Sequence, residues 1–148
     1  YSWRLDMFRL ITFYFILTSI AGYTITLTGT TQMDYLFKLD NRHDIEPITD
    51  DLDGWKVIEG KPTMKTWIMR TSNDGSMISG VWTATPGTYH AVYAEYEFVH
   101  LIEGSITITP DGGEPSIMSS GDAFVVEAGF SGTWKITEPV VKHFDIKL

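Results

Sequence analysis

The sequence contains no cysteine and little histidine, with four His among its 148 residues. The lack of cysteine excludes disulfides, thiolate zinc sites and a cysteine nucleophile, and it gives no information about compartment. Any metal would therefore need His, Asp, Glu, Tyr or Gln ligands. Basic residues are also scarce, 11 against 19 acidic, for a net charge of -8. A nucleic-acid backbone would repel such a surface, so we expect no nucleic-acid partner.

Apolar side chains are plentiful, at 43% hydrophobic and 14% aromatic residues. This composition excludes a disordered chain and supplies material for the core of one ordinary domain. The acidity belongs to the later part of the sequence, because residues 33–148 carry a net charge of -9.

The first 32 residues form an apolar leader with three charged side chains, and no charge lies between Leu10 and Met33. Three interpretations stay open. The leader is upstream translation with the true start at Met33, a signal peptide ending near Ser19–Ala21, or a membrane anchor. The strongly apolar run is shorter than the ~20 residues that a spanning helix needs. We expect a cytoplasmic protein, exported if residues 1–21 are a signal peptide, with membrane contact only if the leader is retained.

For the rest of the sequence we predict an acidic lead-in loop at 33–54 and one all-β domain at 55–148. Short apolar and β-branched runs are separated by turn residues such as Ser72–Gly75, which is typical of a sandwich or barrel. Asp122, next to Gly121, is expected to hold a turn with its carboxylate. The predicted strands are 55–59, 63–70, 77–84, 89–102, 105–109, 123–127, 133–137 and 140–146.

Three stretches resemble a known family. Residues Glu97–Gly104 resemble the latter half of the first cupin motif, and Gly121–Trp134 resembles the second motif. The continuation to Phe144, with Glu-Pro-Val followed by a lysine and an aromatic residue, is similar to small cupin domains related to (S)-ureidoglycine aminohydrolase. The resemblance implies an RmlC-like jelly-roll barrel that binds a small molecule and forms a homodimer.

Cupins often hold Mn, Zn, Ni or Fe through three His and one Glu, and this pattern maps poorly onto the chain. Only His90 and Glu97 fall at ligand positions, and the third His position falls near Gly132. The metal set of ureidoglycine aminohydrolase falls on Ala91, Tyr93 and Glu97, which does not support that activity. His90 and Glu97 are therefore weak metal candidates, and the cofactor stays open.

Strand alternation places Tyr93, Glu95 and Glu97 on one face, where converging polar groups suit acid–base chemistry. These three are the catalytic candidates. The alternatives are that Glu95 lies at a solvated barrel mouth, that the tryptophans fill the core, and that Lys142 anchors the last strand. The ligand-binding candidates are Trp82, His90, His100 and Trp134.

Three function classes remain open at this point. The first is a non-catalytic small-molecule-binding module, and the second is an enzyme acting on a small polar metabolite through Glu97, with or without a metal. The third is a structural or partner-binding role, with Tyr93–Phe98 at a dimer seam. The fold alone cannot separate them, because cupins host many activities.

Overall fold

The computed structural model describes residues 35–39 and 42–148. The apolar leader predicted at 1–32 lies outside these residues. The helical content of the described part is one short 3-10 turn, Arg42–Asp44. None of its helices is of a length and hydropathy that would let it cross a membrane.

The described residues form ten β-strands in two five-stranded antiparallel sheets. The strands are β1 (Trp55–Gly60), β2 (Met64–Thr71), β3 (Met77–Ala84), β4 (Gly87–Val92), β5 (Tyr96–Glu103), β6 (Ser105–Pro110), β7 (Ser116–Ser119), β8 (Ala123–Val126), β9 (Ser131–Ile136) and β10 (Val140–Lys147). The first sheet has the order β1-β4-β9-β6-β7, and the second has the order β2-β3-β10-β5-β8. This arrangement confirms the predicted all-β jelly roll.

Alternation along the strands builds the interior between the two sheets. On β5, Glu97, Val99 and Leu101 are buried, whereas Phe98 is exposed. On β10, the even-numbered residues from Val140 to Phe144 are buried. Trp82 and Trp134 contribute fully buried indoles from the second and first sheet, respectively. The interior is therefore rich in aromatic rings.

The turns follow their sequence signals. Ser72–Gly75 joins β2 to β3, and Gly75 has a φ of 73°, a conformation that glycine adopts without steric cost. Asp74 accepts hydrogen bonds from the Ser72 hydroxyl at 2.6 Å and from the Ser76 amide at 3.0 Å. At a second turn, the Asp122 carboxylate accepts a hydrogen bond from the Ser119 amide at 2.7 Å, as the sequence predicts.

Two features of the strand prediction are wrong. The run predicted as one strand over 89–102 is broken at Tyr93–Glu95, where the chain crosses from the first sheet to the second. The Tyr93 amide donates a hydrogen bond of 2.9 Å to the Phe130 carbonyl, and the Tyr93 carbonyl accepts one of 2.8 Å from the Gly129 amide. These bonds replace the strand pairing there. The sequence also gives no sign of β7, because this strand is short and largely exposed.

Candidate functional site

A lysine lies at the centre of the second sheet and points into the barrel. Lys142 is on β10, the middle strand of that sheet, and its side chain is 1% exposed. Its Nζ donates a hydrogen bond of 2.6 Å to Oε1 of Glu97, whose side chain is 4% exposed. Both partners are charged and shielded from water, so the contact is a buried, charge-assisted hydrogen bond.

Aromatic rings enclose this ion pair. The Nζ atom of Lys142 lies 4.9 Å from the ring centroid of Trp82 and 4.8 Å from that of Trp134. An ammonium at such distances from indole faces gains cation–π stabilisation, which is larger where water is excluded. The lysine is therefore held by one carboxylate and two aromatic rings.

Trp55 closes the aromatic cluster at the beginning of β1. Its ring centroid lies 5.6 Å from Trp82, 5.6 Å from Tyr89, 5.9 Å from Tyr93 and 5.1 Å from Trp134. Trp55 is itself only half-buried, and β1 is an edge strand of the first sheet. The Trp55 indole therefore lies between the buried rings and the protein surface. Its strand, β1, has a neighbouring strand on one side only.

Three polar atoms next to the cluster are buried without a hydrogen-bond partner among the described residues. They are Oη of Tyr93, Oε2 of Glu97 and Nε1 of Trp134. Buried polar atoms are nearly always paired in folded proteins, and leaving one unpaired costs about 1–3 kcal/mol. These atoms offer an acceptor (Oε2), a donor (Nε1–H) and a hydroxyl that can act as either.

Burial controls the protonation of the cluster. Desolvation lowers the pKa of the Lys142 ammonium, and the charge and hydrogen bond of Glu97 oppose that shift. Desolvation raises the pKa of Tyr93 well above its usual value, and the negative charge of the Glu97 carboxylate, together with its direct interaction with the tyrosine hydroxyl, raises it further. The tyrosine is therefore a neutral hydroxyl at physiological pH, beside a pair with no net charge.

The catalytic candidates separate into two groups. Glu97 and Tyr93 belong to the interior cluster, Glu97 through Lys142 and Tyr93 through its ring, which stacks on Trp134 with centroids 6.0 Å apart. Glu95 does not share their face. It is exposed in the bend between β4 and β5, because the strand break removes the alternation that would have turned it inward.

The ligand-binding candidates separate in the same way. Trp82 and Trp134 line the interior. His90 lies on the outer side of β4, where its Nε2 contacts Oδ2 of Asp111 at 2.9 Å. His100 is a half-buried residue on the outer side of β5, opposite His143 of β10.

The residues do not fit the metal that the cupin resemblance implies. His90 and Glu97 point to opposite sides of the barrel wall, and the carboxylate expected to bind a metal holds Lys142 instead. Within residues 35–39 and 42–148, no three His, Asp or Glu side chains come together as metal ligands. Chemistry at this cluster therefore has to be derived from its own amine, carboxylate and hydroxyl.

Sequence reasoning missed Lys142 as a member of the site. Lys142 and Glu97 are 45 residues apart, and only the pairing of β10 with β5 brings them together. The available signal was the alternation in Val140–Phe144, which places a lysine at a position that neighbouring core residues mark as inward. A lysine at such a position is rarely fully buried without a partner.

The EutQ-like cupin domain matches residues 71–144, half of the chain. The chain belongs to the EutQ-like cupin family. The matched region of this cupin includes Glu97, Lys142 and both buried tryptophans of the cluster. Curated proteins show no match to this cupin. The finer relation to ureidoglycine aminohydrolase stays a prediction.

Solved structures with the same fold include a EutQ protein and a putative ethanolamine utilization protein Q. The EutQ protein of Clostridium difficile is 16% identical, with a TM-score of 0.53 over 58% of this cupin and 68% of that chain. A putative ethanolamine utilization protein Q of Salmonella typhimurium is also 16% identical, with a TM-score of 0.51 over 70% of this cupin and 96% of that chain. Identities this low show the shared fold alone.

A third structural relative is a protein of unknown function from Pseudomonas syringae pv. tomato, in the DUF861 family. It is 22% identical, with a TM-score of 0.57 over 70% of this cupin. The match covers only 44% of the Pseudomonas chain. This relative therefore supports the jelly-roll fold of one domain and says nothing about the activity of a whole protein.

Proposed function

We propose that this cupin binds a small, uncharged polar molecule inside its barrel, against the Lys142–Glu97 pair. The observation that carries the proposal is the set of three buried polar atoms without partners, on Tyr93, Glu97 and Trp134. A ligand that pairs with them would recover the cost of burying them. A few convergent polar groups among apolar and aromatic side chains are also the usual lining of a small-molecule site.

The charges of the site favour an uncharged ligand. Lys142 and Glu97 neutralise each other at 2.6 Å, so a charged ligand would bring an unpaired charge into the interior. An acceptor on the ligand would pair with Nε1–H of Trp134, and a donor, where the ligand has one, would pair with Oε2 of Glu97. A primary amide or a ureido group carries both, and its apolar part would pack against the indoles.

Access to the site requires Trp55 to move. Its ring covers the cluster, and β1 is bound to the barrel through β4 alone, with a bulge between Val57 and Glu59. An edge strand with a bulge has fewer ladder hydrogen bonds to break than an internal strand. We infer that Trp55 swings outward to admit the ligand.

A calorimetric titration with a matched series of small molecules tests the proposal. We expect benzamide and propionamide to bind the wild-type protein and raise its Tm, whereas benzoate and benzylammonium, which share the ring but carry a charge, do not. The double variant Lys142→Met/Glu97→Leu should lose amide binding, because it removes the polar groups and keeps the volume. His90→Ala, on the outer face, is the control and should bind as the wild type does.

The proposal is wrong if none of the amides binds, or if the double variant binds them as well as the wild type. Preferential binding of benzoate or benzylammonium would contradict the uncharged ligand.

The second candidate function is acid–base catalysis at the same cluster. Glu97 has one oxygen bound to Lys142 and one free, and the hydroxyl of Tyr93 feels its charge, so a proton can be relayed between the two. Glu95 takes no part, because it is exposed. Turnover of an amide that binds, abolished in Glu97→Gln while binding persists, would identify the protein as an enzyme.

A further inference from the structure

Lys142 differs from every other lysine of the chain. The other six, at positions 38, 56, 61, 65, 135 and 147, are exposed, whereas Lys142 is 1% exposed. Burying an ammonium costs several kcal/mol even in a relaxed protein interior. A methionine or leucine would fill the same volume without that cost. Burial shifts the pKa of a lysine, and enzymes use such lysines as general bases and as Schiff-base formers.

We propose that Lys142 forms a reversible imine with a small aldehyde or ketone bound in the barrel. This inference rests on the proposed function, because the carbonyl compound would be the uncharged ligand of the same site. Glu97 lies 2.6 Å from the amine and is therefore within reach for proton transfer. Its second oxygen is unpartnered, so once Glu97 has accepted the proton it can donate that proton to the carbonyl oxygen of the ligand.

The reaction balances without any other reagent. The Lys142 ammonium gives a proton to Glu97, and the amine lone pair attacks the carbonyl carbon, forming a C–N bond and an alkoxide. Glu97 protonates the alkoxide, takes a second proton from nitrogen, and returns it to the hydroxyl group. The C–O bond then breaks, water leaves, and the nitrogen lone pair completes a protonated C=N bond.

The charges of the cluster explain why a protonated imine at Lys142 would be stable in the interior. The ammonium and the protonated imine each carry one positive charge, and Glu97 is a carboxylate at the beginning and at the end. The buried pair thus remains neutral overall, and no unpaired charge appears in the interior. The indoles of Trp82 and Trp134, 4.9 and 4.8 Å from Nζ, stabilise either cation and keep out the water that would hydrolyse the imine.

The electrostatics agree with this geometry. Burial lowers the pKa of Lys142, which increases the fraction of neutral, nucleophilic amine. Glu97 opposes that shift while it is a carboxylate, and the opposition ends when it accepts the proton. Proton transfer within the pair therefore produces the neutral, nucleophilic amine.

Reductive trapping tests the inference on the folded wild-type protein. The protein is incubated with propanal and sodium cyanoborohydride, and the propylated lysines are located by peptide mass spectrometry. We expect Lys142 to be alkylated faster than the six exposed lysines, which are an internal control. Glu97→Gln should slow alkylation of Lys142 by about 100-fold, the usual size of a general acid–base contribution, and leave the exposed lysines unchanged.

Lys142→Arg keeps the positive charge and should lose only the label at position 142. The inference is overturned if the exposed lysines react in the folded protein while Lys142 reacts only after unfolding. Amide binding, measured on the same preparation, distinguishes failure of the imine inference from failure of the proposed binding function. Binding without alkylation of Lys142 refutes the imine and leaves the proposed function standing, and the absence of both refutes both.

Discussion

Lys142 and Glu97 are the only charged side chains that are buried among the described residues. The lysine lies opposite Leu101 and the glutamate opposite Ile146, so the long lysine stem must lean along the strand to reach the carboxylate. The flexible four-carbon stem of lysine permits this reach. The pair joins two neighbouring strands from within the barrel, and each partner depends on the other for its burial.

We predict strongly non-additive effects when the pair is removed. Lys142→Met and Glu97→Leu should each lower the free energy of unfolding by about 3–5 kcal/mol, because each leaves one uncompensated buried charge. The double variant should be more stable than either single variant, since it buries no charge. Urea unfolding of the four proteins measures the coupling. Additive losses would show that the two side chains are not paired in solution.

The residues of this site show how far sequence reasoning can go. Alternation within one strand was enough to place Glu97 among inward residues, because that signal is local. The partner of Glu97 lies on β10, far along the chain. The sequence of neither strand shows that the two strands pair, so the contact could not be predicted. Glu95 was misplaced for a related reason: its bend depends on backbone bonds that Tyr93 makes to the loop before β9.

At the scale of elements, the strand pattern was largely predictable because turn residues separate most strands. The Ser72–Gly75 hairpin is the clearest example, with a serine and an aspartate whose side chains close the turn. The crossing between β4 and β5 contains neither glycine nor proline, so it left no signal. The first strand begins at Trp55, the residue at which the predicted domain begins.

We predict that the hairpin makes the stability of the protein depend on acid pH. Hydrogen bonds from Ser72 and Ser76 lower the pKa of Asp74 from 3.8 to about 2. A lowered carboxyl pKa stabilises the folded state above the unfolded-state pKa, and this contribution is lost as the pH falls through the folded-state pKa. Asp74→Ala should therefore reduce Tm at neutral pH, and its effect should vanish as the pH falls below ~2.

Thermal unfolding of wild type and Asp74→Ala across this range measures the difference. A Tm gap that stays constant between neutral and acidic pH would show that the Asp74 carboxylate does not stabilise the turn.

At the scale of the whole molecule, two sheets enclose an apolar interior in which aromatic side chains, rather than metal ligands, lie around the buried ion pair. Trp82 and Trp134 contact the ammonium of Lys142, and Trp55 packs against both of these rings. The chain belongs to the EutQ-like cupins. Because that fold hosts many activities, the function proposed above rests on the interior cluster and not on the family. The homodimer implied by the sequence resemblance stays a prediction.

The most direct test of this account is an NMR measurement of the lysine ammonium groups in the folded wild-type protein. We predict that one of the seven lysine ammonium signals is protected from exchange with water and shifted upfield by the rings of Trp82 and Trp134. That signal should disappear in Lys142→Met and lose its protection in Glu97→Gln. If all the lysine ammonium groups instead exchange as solvated amines do, the buried ion pair and the site built on it are contradicted.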